Sequence, residues 1–220
     1  MNIFESLSSL LPSYEITLPF SKRQVTFTPF RVKDAKNLSM ILQEDNKKLA
    51  LKNMVELIKC CTKDANIEEL CLADAEYLFL QIRSKSVDEI LNLIYNEEKV
   101  QVNIAEIQPR NEIIEESLSL SAGITIVLET PKIKDLLRLS SLEKEEISKA
   151  CIQKVIVKNE IYKLNKFVTE EIKQLIDNLP LSVLPKIESF IKKQPELYVN
   201  LKVLNGTKEV SGLLNFFTYR

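Results

Sequence analysis

The chain has 220 residues, 45% of them hydrophobic and 28% charged, which suits a globular protein with a sizeable core and excludes a disordered one. Lys and Arg nearly balance Asp and Glu, leaving a net charge of −1 with no long basic run, so binding driven by nucleic-acid phosphates is disfavoured. Histidine is absent, which removes the commonest general base near neutral pH, the triads built on it and most transition-metal sites.

Met1–Leu11 carries Glu5 and no basic region, so it does not read as a signal peptide. Phe4, Leu7 and Leu10 share one side of a short helical tail, either a frayed terminus or a partner-binding helix. Tyr14–Leu18 and Val25–Phe27 alternate apolar and polar residues and predict a β-hairpin around Pro19–Arg23. A helix over Val32–Leu42 follows, with Ala35, Leu38, Ile41 and Leu42 as its stripe. Asp45 is placed to cap the next helix, where Leu51, Met54, Val55 and Ile58 repeat at 3.6 residues. Leu72–Ile82 is apolar almost all round and predicts a buried helix. Arg83-Ser84-Lys85-Ser86 then changes the chemistry. Ser86 and Glu89 read as a capping box that opens a second helix with Val87, Ile90, Leu91 and Ile94. Arg83 and Lys85 are left as either solvated charges or partner contacts.

After Glu98 the period becomes two. Val100, Val102 and Ile104, then Leu118–Leu120 and Ile124–Leu128, predict a small sheet over Val100–Leu128 with a turn at Ser121–Gly123. The remainder reads as mainly helical. Ile133–Ser140 is one short helix, and Ser140 with Glu143 suggests a capping box for the next. Ile152–Val157 and Glu160–Leu164 suggest a hairpin around Lys158-Asn159. Thr169 is placed to cap a helix striped by Ile172, Leu175, Ile176 and Leu179, which Pro180 ends. A further helix capped by Ser182 has Pro185 in its first turn. Leu197–Val203 alternates as a strand before the turn signal Asn205-Gly206. The expected fold is therefore α+β: an N-terminal β-hairpin plus helices, a small antiparallel sheet in the middle, and a mostly helical C-terminal half ending in a short hairpin. A soft boundary near Pro131 separates 1–130 from 131–220, as subdomains or as parts of one domain.

No catalytic, cofactor-binding or metal-binding residues emerge. Cys60, Cys61, Cys71 and Cys151 lack zinc spacing and read as reduced thiols, with Cys60 and Cys61 as small core residues at the end of an apolar repeat. Three glycines cannot supply a Walker A loop or a GxGxxG turn. The apolar runs are too short to span a bilayer. The adjacent pairs Glu115-Glu116 and Glu145-Glu146 do not converge on one substrate, because neighbours on an element point apart. The chain is thus expected to be no enzyme, with a carboxylate enzyme and a nucleic-acid adaptor as the lesser readings.

The block Ile82-Arg83-Ser84-Lys85-Ser86-Val87, preceded by Asp74–Gln81, resembles the signature of the T4-type phage baseplate hub assembly family. Leu18-Pro19-Phe20, Val25–Phe30 and Val32-Lys33-Asp34 are similar to that family's opening, and Gly212–Phe217 to its closing aromatic pair. Two departures stand out. Asp88 occupies a place where relatives often have Gly, and Tyr95–Lys99 lacks the Cys pair of some relatives, so no metal role carries over. The resemblance implies a non-enzymatic assembly factor or chaperone for the tail baseplate hub, working in the host cytoplasm. The alternative is a structural subunit retained in the hub of the virion. It also implies other hub proteins as partners, rather than nucleic acid or membrane. The contact residues expected are Arg83, Lys85, Phe216 and Phe217, the two aromatics serving equally well in a core.

Overall fold

The computed structural model describes residues 11–34, 38, 46–63, 66–95, 98–120, 123–167, 169–204 and 206–212. Phe4, Leu7, Leu10, Ala35, Ile41, Leu42 and Asp45 lie outside them. β1 (Tyr14–Thr17) and β2 (Gln24–Phe27) form an antiparallel hairpin with Ile16 opposite Val25. α1 (Lys47–Cys61) is capped by Asn46, whose side-chain oxygen accepts from the N–H groups of Lys48 and Leu49 at 3.0 and 3.2 Å. Leu51, Met54, Val55 and Ile58 are buried on its inner face. α2 (Leu72–Ser86) buries Ala73, Leu78, Phe79, Leu80 and Ile82, as an all-round apolar helix must.

α2 ends where a second helix was expected to begin. β3 (Ile90–Tyr95) and β4 (Glu98–Asn103) follow as a hairpin instead. Ser86 is unavailable as a cap because its hydroxyl donates to Ile82 O at 2.5 Å and accepts from Phe30 N–H at 2.8 Å. Asp88 Oδ1 accepts from Ile90 N–H at 3.0 Å, an Asx turn that competes with helix. Leu91 and Leu93 are then both buried around exposed Asn92, which is the period of a strand.

In chain order come β5 (Gln108–Arg110), β6 (Glu115–Ser119), β7 (Ile124–Glu129), α3 (Ile133–Arg138) and α4 (Lys144–Cys151). β8 (Ile152–Val157), β9 (Glu160–Lys163), α5 (Thr169–Asp177), α6 (Leu184–Lys192), β10 (Glu196–Val203) and β11 (Gly206–Ser211) follow. Glu143 precedes α4 without a side-chain cap bond, so the expected Ser140–Glu143 box is not formed. Pro185 does sit in the first turn of α6.

The expected fold class needs two corrections. The middle sheet is not one sheet: Val100 and Val102 pair with β3, β5 pairs with β10, and β6 and β7 belong to an antiparallel sheet ordered β6-β7-β8-β9. The C-terminal half is not mostly helical, because strands dominate it. The reason lies in β7. Ile124–Glu129 has two hydrogen-bonding edges to satisfy, and the β-branched run of β8 supplies the second, bringing β9 with it through a hairpin. The closing hairpin of β10 and β11 is likewise part of a three-stranded sheet with β5.

The chain divides into two compact units. The first contains residues 1–110 and Glu196–Arg220; the second is Asn111–Pro195, which encloses the boundary read at Pro131. The second unit is an insertion between two paired strands, since Glu196 of β10 lies opposite Arg110 of β5. In the first unit α2 packs on α1 and on β10. In the second, one sheet face supplies Ile126, Leu128, Ile152 and Val155 to a core shared with Val183, Ile187 and Phe190.

Candidate functional site

The Arg83–Ser86 hinge closes the connection from α2 to β3. Arg83 is half-buried, and its Nη1 donates to Asp88 O at 2.8 Å and to Ile90 O at 3.4 Å. Burial pushes its pKa down from the usual guanidinium value, against the opposing charge of Asp88. Lys85 forms an ion pair with Glu89 at 3.1 Å and lies 6.0 Å from the centre of the Tyr14 ring. Nearby, Asp74 has no exposed surface, and its two oxygens accept from Phe20 N–H at 3.0 Å and Ser21 N–H at 2.8 Å. Asp74, Arg83 and Ser86 therefore tie the N-terminal hairpin region, α2 and β3 together within the first unit. Arg83 and Lys85 each have internal partners, the backbone carbonyls of Asp88 and Ile90 for the first and Glu89 for the second. Phe216 and Phe217 lie outside the described residues.

Among the described residues no group of three or more Cys, Asp and Glu is arranged to hold a metal ion. Cys61, Cys71 and Cys151 are buried, and burial pushes each thiol up to about 12, so each is protonated and weakly nucleophilic at neutral pH. Cys60 is exposed. The neighbouring glutamates are used in ion pairs: Glu116 meets Lys193 at 2.8 Å and Glu146 meets Lys149. Lys149 first of all holds the Glu146 carboxyl below its usual range.

The second unit presents a feature that the sequence does not announce. α5 carries its apolar stripe over the sheet, yet Ile172, Leu175, Ile176 and Leu179 are only half-buried. Between α5 and the sheet runs a groove of about 700 Å³, with Ile126, Val155 and Val157 on its floor and Tyr162 and Leu175 on its walls. The lining is largely apolar, and Glu171, Gln174 and Asn178 supply its polar side chains from one side of α5. A mostly apolar groove of this size can receive apolar groups of a small ligand or of another protein. The only sequence signal for it is the α5 stripe, which reads equally well as ordinary core.

No helix among the described residues is long and apolar enough to cross a membrane. Neither the curated proteins nor the solved structures yield a match to this chain. The sequence model of the family described as T4 bacteriophage base plate protein does match, over residues 11–218. The match spans both units, the hinge and the groove, and the chain belongs to the T4 bacteriophage base plate protein family.

Proposed function

We propose that this baseplate protein is a non-enzymatic assembly factor of the tail baseplate hub, acting through contacts with other hub proteins in the host cytoplasm. The observation that carries the reading is the half-open apolar groove of the second unit. A chaperone needs a surface that holds apolar segments of an immature partner and lets them go, and a groove of about 700 Å³ beside a half-covered helix is such a surface. Lys85, Phe216 and Phe217 remain proposed contact residues. Arg83 is better assigned to holding the loop in place, because both acceptors of its Nη1 are backbone carbonyls of its own turn.

The test is mass spectrometry of purified virions, paired with pull-downs of the tagged chain from infected cells before and after particle assembly. Hub proteins should co-purify early, and the chain should be absent from finished particles. Stoichiometric recovery from virions would replace this reading with that of a structural subunit retained in the hub.

A further inference from the structure

We draw no further inference here: the strongest candidate, the half-open apolar groove between α5 and the four-stranded sheet of the second unit with the edge of β9 beside it, carries nothing beyond the protein-contact reading above, because nothing in the structure shows what covers it.

Discussion

Asp74 shows how a residue that resembles part of a functional signature can be structural. A carboxylate with no exposed surface accepts two backbone N–H groups from the β1–β2 turn. Asp74→Ala should cost about 1–3 kcal/mol, because it removes a buried carboxylate's bonds to two partly buried N–H donors, and a fall in the urea midpoint at unchanged slope would measure it. The basic hinge divides on the same logic. Arg83→Ala should cost about 1–3 kcal/mol, as it removes charge-assisted bonds to Asp88 O and Ile90 O. Lys85→Ala should cost under about 1 kcal/mol, since its pair with Glu89 is largely exposed. The cysteines make a third prediction. In the native chain at pH 8 a thiol reagent should titrate Cys60 promptly, and Cys61, Cys71 and Cys151 only after unfolding. Those three thiols have folded pKa values raised from 9.0 to about 12. Their contribution to stability is complete below pH 9 and is lost as pH rises from 9 toward 12, so urea midpoints should decline over that alkaline window.

Elements whose evidence is local were legible. The 3.6 period of α1, the alternation in β1, β2 and β10, and the turn between β8 and β9 each depend on neighbours in sequence. α2 is the instructive partial case. Its burial was readable from the all-round apolar pattern, and Phe79→Ala should cost about 3–5 kcal/mol in chemical denaturation. Its end was not readable, because Ser86 is engaged by the N–H of Phe30, a residue far away in sequence. The groove was hidden for a similar reason. Whether the α5 stripe is core or surface depends on what covers it, and no local pattern reports that. The β8–β9 turn offers a test at this scale. Lys158 and Asn159 both sit at positive φ, where Asn-Gly is the preferred pair. Asn159→Gly should raise stability by about 0.4–1 kcal/mol if the turn is of type I′. An unchanged or lower thermal midpoint would mean that the turn is of another type.

At the scale of the whole molecule the feature that was not readable is the insertion. β5 is a three-residue strand containing a proline, and its partner β10 begins 86 residues later than Arg110. No periodicity links such segments. The junction is well held: Arg110 meets Glu196 at 2.6 Å and Glu209 at 2.8 Å, and its guanidinium lies 4.7 Å from the Tyr198 ring centre. The hydrogen bond from Arg110 to Glu196 leads the causes that raise the pKa of this guanidinium. Because Arg110 and Glu196 are directly opposed on paired strands, their Cα atoms are within about 5.5 Å, a gap that a two-residue hairpin turn bridges. Replacing Asn111–Pro195 by Asn-Gly should therefore leave a first unit that folds on its own around α1, α2 and the β10 sheet. Its urea unfolding should be cooperative, and it should still lose about 1–3 kcal/mol on Asp74→Ala, since both partners of that carboxylate lie within the unit. A non-cooperative transition would mean that the first unit depends on the insertion for its core. A cooperative one would separate the two surfaces experimentally, with the Lys85 hinge on the shortened chain and the groove on the excised segment. Hub-protein binding could then be assigned to one unit or the other.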